Sequence, residues 1–86
     1  MEVTEHVTEQ VARLLETLGN DIEPGQTIMA RLGLVHRPTF LYTYVKPALE
    51  QEFLVMTLPD KPRSRGQRYQ LTVKGKAWVA EKRRSP

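Results

Sequence analysis

The hydrophobic period of this chain changes once, near Phe53, and that change limits what it can fold into. Before it, apolar residues recur at the three- and four-residue spacing of amphipathic helices. After it, Leu54, Met56 and Leu58 alternate with Phe53, Val55 and Thr57, as a half-buried strand requires. A second alternating run, Gln67 to Val73, sets Tyr69, Leu71 and Val73 against Arg68, Gln70 and Thr72. Together the two runs predict a hairpin. Between them lies Pro59-Asp60-Lys61-Pro62-Arg63-Ser64-Arg65-Gly66, rich in turn-forming residues and too long for a tight turn, so it is expected to project as a flexible basic lobe.

The helical half divides at its glycines. Thr8 is a good N-cap, and Val11, Leu14, Leu15 and Leu18 form one apolar stripe on a helix that Gly19 should end in the left-handed conformation. Upstream, the repeat Val3-Thr4-Glu5-His6 and Val7-Thr8-Glu9-Gln10 lines its valines up with Val11. Periodicity alone leaves open whether residues 3–7 extend the helix. We take residues 1–7 as a lead-in from a preceding domain and residues 8–84 as the domain itself. A second short helix opens at Pro24, presents Ile28, Met29 and Leu32 on one side, and stops at Gly33. The third opens near Pro38 and carries Phe40, Tyr44 and Ala48 inward. So tight a glycine-containing turn between two helices makes a helix-turn-helix. Pro47 removes the bond to the Thr43 carbonyl, so the third helix either bends or ends there.

Beyond the hairpin, Thr72 can cap a last helix running through Lys74, Ala77, Trp78 and Glu81, with Lys82-Arg83-Arg84 at its negative end. Trp78 is expected to pack against the first helix, and His36 to serve the local structure of a helix start. The order helix, helix, helix, strand, strand, helix is that of an α+β winged helix-turn-helix: a three-helix bundle, a two-stranded wing and a C-terminal helix.

Charge is distributed unevenly along this frame. Residues 1–60 carry four basic side chains (Arg13, Arg31, Arg37, Lys46) against nine acidic ones, a net of −5; residues 61–86 carry nine basic against Glu81 alone, a net of +8. A positive field at one end of a small domain attracts polyanions. Within the lobe, Lys61, Arg63, Arg65 and Arg68 fall within eight residues with no acidic side chain among them, and phosphate contact explains that pattern economically. On the third helix, burial of Phe40, Tyr44 and Ala48 leaves Thr39, Tyr42, Thr43 and Lys46 outward, with Arg37 at the start. Arg37 and Lys46 can meet phosphate or guanine, Thr39 and Thr43 can bond phosphate, and Tyr42 can stack or donate. Glu50 and Glu52 oppose this, and a partly exposed Leu41 suits protein contact. Lys74, Lys76, Arg83 and Arg84 are weaker candidates, since terminal charge also serves solubility. DNA, bound mainly through its phosphates, is thus the expected partner; a protein-interaction or homodimerisation module is the alternative.

Other chemistry has little support in the residues. There is no cysteine, and His6 and His36 are too few for a metal site without carboxylates, so no metal or cofactor is expected. No phosphate-cradling glycine loop, His-Glu-x-x-His or nucleophile elbow is present, and Ser64 and Ser85 lie in a loop and at the tail, so the domain is expected not to be an enzyme. No apolar run approaches membrane-spanning length, and a cytoplasmic location without membrane contact is expected.

The run Phe40-x-x-x-Tyr44-x-x-Pro47-Ala48-Leu49-Glu50, then Met56-Thr57-Leu58-Pro59-Asp60-Lys61-Pro62-x-Ser64-Arg65, then Gln67-Arg68-Tyr69-x-Leu71-Thr72-x-x-Gly75, resembles the C-terminal winged-helix domain of Fic-like proteins. It is similar, too, to the module that ends bacterial proteins described as RecG-related helicases or AlbA-type transcriptional regulators. The valine-threonine repeat is similar to those that precede such domains. The resemblance implies a regulatory or DNA-binding accessory module of a larger bacterial protein, downstream of an adenylyl-transferring Fic domain or an AlbA-type domain. Any helicase or transferase activity would then belong to the parent. Leu41 and Tyr42 depart from the resemblance, standing where the family commonly carries charge, and this favours a protein interface.

Overall fold

The computed structural model describes residues 7–84. The expected lead-in lies outside them except for Val7, which packs partly buried against the core. Helix α1, Glu9–Leu18, begins as its sequence dictates: the Thr8 hydroxyl accepts the Val11 N–H at 3.1 Å. Its stripe of Val11, Leu14, Leu15 and Leu18 is buried to the last residue. Gly19 stops it with a positive φ of 57°, but ψ is −126°, so the backbone lies outside the left-handed helical basin that was expected. Helix α2, Gly25–Leu32, follows Pro24 and ends on a left-handed Gly33 (φ 75°, ψ 24°), with the Leu34 N–H returning to the Met29 carbonyl.

The third helix, α3, runs over residues 37–50 and changes its winding twice. Arg37–Thr39 is α-helical, Phe40–Val45 is a π-helix, and Lys46–Glu50 is α-helical again. Pro47 therefore does not end the helix. In a regular α-helix its ring would press on the Thr43 carbonyl, which would also lose its donor. The wider π turn, in which the Lys46 N–H reaches back to Leu41, relieves that conflict one turn earlier. The additional residue per turn changes which side chains face inward. Phe40, Tyr44 and Ala48 are buried as expected, and Val45 joins them.

Strands β1 (Leu54–Met56) and β2 (Tyr69–Leu71) pair antiparallel, with Leu54 opposite Leu71, Val55 opposite Gln70 and Met56 opposite Tyr69. They are shorter than the alternating runs. Glu52 takes a positive φ of 65° just before β1, and Phe53 enters the core although strict alternation sets it on the face opposite Leu54. Leu58 lies in the loop, exposed, and Val73 leaves the strand to open the last helix, 86% exposed. Glu23 adds a one-residue bridge to the other edge of β2, with N–H to carbonyl bonds to Tyr69 of 3.2 and 2.9 Å. A single bridging residue has no period, so the sequence gives no sign of it.

Helix α4, Val73–Arg84, is capped by Thr72, whose hydroxyl accepts the Gly75 N–H at 3.0 Å and donates to the Glu52 carbonyl. Gly75 is buried directly against the backbone of Phe53; a Cβ there would overlap the Phe53 carbonyl oxygen. Trp78 packs partly buried against the core and lies at a tilt on Phe53, the residue before β1, with ring centroids 6.3 Å apart. Lys82 reaches α1 through Glu16 at 3.8 Å. The result is an α+β winged helix-turn-helix, as the element order predicts. No helix among the described residues is long and apolar enough to cross a membrane.

Candidate functional site

The loop between β1 and β2, expected to project as a basic lobe, is drawn in by one glutamine. Gln67 is 6% exposed; its Oε1 accepts the Leu58 N–H at 2.9 Å, and its Nε2 donates to the carbonyls of Leu58 and Lys61. Successive turn bonds, Lys61 N–H to Leu58 and Ser64 N–H to Lys61, each 3.0 Å, complete the closure. A side chain that satisfies three backbone groups removes the reason for the loop to stay open to water. The wing folds back toward α3.

Between wing and helix lies a groove of about 660 Å3. Leu41, Val45, Leu49 and Met56 contribute its apolar surface, and Arg37, Tyr42, Lys46 and Arg63 are its polar lining. Tyr42 is 69% exposed, with the Lys46 ammonium 5.8 Å from its ring centroid, within cation–π range. A second, more polar cleft of about 420 Å3 shares Arg37, Pro62, Arg63 and Tyr69 with the first. Arg65, Ser64 and Gln26 complete it beside the start of α2. Tyr69 thus stands in the wall common to both; burial pushes its phenol pKa up, while the positive charge of Arg37 opposes that rise.

The cations divide by their neighbours. Arg31 is held by Asp21 at 2.9 Å and Glu23 at 3.0 Å, and Arg84 by Glu81 at 3.8 Å. Among the described residues, none of Arg37, Lys46, Lys61, Arg63, Arg65 or Arg68 forms an ion pair.

Of the residues singled out in the sequence, the tertiary structure gathers Arg37, Tyr42, Lys46, Arg63 and Arg65 around the two adjoining hollows. It does not bring the rest there. Lys61 borders a separate depression with Thr57 to Asp60, and Arg68 is exposed where its backbone N–H meets the Thr57 hydroxyl at 3.2 Å. Thr43 is exposed away from both hollows. The Thr39 hydroxyl is engaged by His36 Nδ1 at 2.7 Å, which gives His36 the local structural role expected of it. Sequence reasoning passed over Gln67, Gln26 and, apart from Leu41, the apolar lining. The spacing of Leu41, Val45 and Leu49, four residues apart, was a legible signal for that lining; nothing in the sequence marks Gln67.

The family model for "Filamentation induced by cAMP protein Fic-like, C-terminal domain" matches residues 9–72. No curated protein matches the chain. Among solved structures, a Fic family protein from Desulfovibrio desulfuricans G20 is similar, at 48% identity and a TM-score of 0.75 over 81% of this chain. The chain spans 22% of the length of that protein. With the matched segment running from the first residue of α1 to the cap of α4, this chain belongs to the Fic-like C-terminal domain family.

Proposed function

We propose that this domain is a DNA-binding accessory module of a larger bacterial, cytoplasmic protein, with no reaction of its own. The observation that carries the reading is the convergence of Arg37, Lys46, Arg63 and Arg65, none of them ion-paired among the described residues, on adjoining hollows between α3 and the wing. Charged groups without internal partners are most stable where water or an external anion solvates them, and a polyanion meets several at once. Helix α3 offers Tyr42 and Lys46 to a groove of the duplex, and the wing offers Arg63 and Arg65 to its backbone. The short match to a much longer Fic family protein supports the accessory role.

Binding to random duplex DNA, titrated with salt, tests this. Each phosphate neutralised contributes about −0.9 to the slope of log affinity against log salt, so four contacts give roughly −3.6. Affinity that ignores salt, or that survives Arg63→Ala with Arg65→Ala unchanged, removes the proposal. A second reading, a protein-docking or dimerisation module, draws on the apolar lining of the larger groove. Its signature is a concentration-dependent dimer with no duplex binding at low salt.

A further inference from the structure

The two hollows differ in chemistry, and the smaller is unsuited to an apolar guest. We infer that the cleft between the start of α2 and the wing is a pocket for a single phosphoryl group, held by Arg37, Arg63 and Arg65 with the Ser64 hydroxyl. Three guanidiniums from two separate parts of the chain line one cleft of about 420 Å3 whose surface is largely polar. None has a carboxylate partner among the described residues. Like charges collected without a counter-ion repel, and a tetrahedral anion relieves that repulsion while accepting several charge-assisted bonds, in forked geometry where arginine supplies them.

The walls are already in place. Gln67 fixes the wing segment that carries Arg63 and Arg65, and Ser64 sits in a turn where its oxygen accepts the Gly66 N–H at 3.1 Å, leaving its hydroxyl proton free to donate. On the other wall Gly25 is packed so closely that a Cβ would come within 3.3 Å of the Phe40 ring and 3.4 Å of Tyr69. The backbone of both walls is in place before an anion arrives, which favours binding. The apolar groove next door offers its ligand Leu41, Val45, Leu49 and Met56 instead. On the nucleic-acid reading, on which the source of the phosphate rests, the pocket seats one backbone phosphate and so sets the duplex in register on the wing.

Titration of the whole 86-residue chain with inorganic phosphate, followed by 15N–1H amide shifts at constant ionic strength with chloride as reference, tests the pocket. Saturable shifts confined to Gly25, Gln26, Ser64, Arg65 and Gly66, weakened at least tenfold by Arg65→Ala and kept by Lys61→Ala, support it. Lys61 has the same formal charge and the same wing but lies outside the cleft, so the pair separates a site from a field. Equal shifts with chloride, shifts spread over Lys76 and Arg83, or equal losses in the two variants overturn it. Duplex binding without localised phosphate shifts sinks the pocket and spares the nucleic-acid reading; localised phosphate shifts without duplex binding at low salt sink that reading and support the pocket.

Discussion

Arg31 and the wing arginines are the same residue type put to opposite uses. Arg31 crosses between Asp21 and Glu23 and fastens the last turn of α2 to the segment that bridges β2, whereas Arg63 and Arg65 stand at the lip of a cleft with no carboxylate partner among the described residues. The local chain explains the contrast. Acidic residues are plentiful up to residue 60 and nearly absent after it, and Arg31 lies where two of them, Asp21 and Glu23, come within reach. Arg63 and Arg65, like Arg37 and Lys46, meet none among the described residues. Charge alone therefore does not single out a candidate residue here; the proposed site is built from cations that lack an ion pair among the described residues.

Five changes break or sharpen that comparison, from the largest effect to the smallest. Arg63→Ala with Arg65→Ala should lower duplex affinity at least tenfold at low salt and flatten the salt slope by about 1.8, two contacts at about 0.9 each, with an unchanged melting temperature. A variant that melts early while binding normally would put these arginines in the class of Arg31. Gln67→Ala should cost about 1–3 kcal/mol, because it leaves the Leu58 N–H without its partner and takes one of two donors from each of the Leu58 and Lys61 carbonyls, and should raise amide exchange across the wing. Binding should fall as well, since the arginines lose the frame that collects them.

Tyr69 provides a probe through pH. Its phenol is raised above the ordinary value of about 10, so the folded state holds the proton more tightly than the unfolded one. That contribution to stability is complete below pH 10 and is lost as pH rises from there through the folded pKa. Tyr69→Phe should flatten this alkaline loss in denaturation curves. Arg37→Ala, which removes the opposing positive charge, should carry the folded-state transition to higher pH. The smallest effect is that of Arg31→Ala: its pairs are exposed, so stability should fall only slightly and the salt slope of DNA binding should not move.

Much of this architecture could be read from periodicity. The caps Thr8 and Thr72, the stop at Gly33 and the inward set Phe40, Tyr44 and Ala48 follow from local chemistry, and each is where the spacing put it. The departures share a cause. Val45 is buried because a π turn adds a residue per turn, and Phe53 because a positive φ at Glu52 turns the chain before the strand starts. Both are changes of winding, invisible to a method that assumes one period at a time. The Gln67 clamp has no period at all; it depends on two carbonyls and an N–H from residues six to nine positions away coming within reach.

The amino-acid order settled which segments are helices and strands, where the first two helices stop, and that cations crowd the wing, because propensity, capping and charge act within a few residues. Which of those cations share a cleft, and which are spent on carboxylates, was decided only when α2, α3 and the wing packed together. Electrostatic partnership depends on distance through space, and here the decisive neighbours, Arg37 with Arg63 and Arg65, are more than twenty residues apart along the chain.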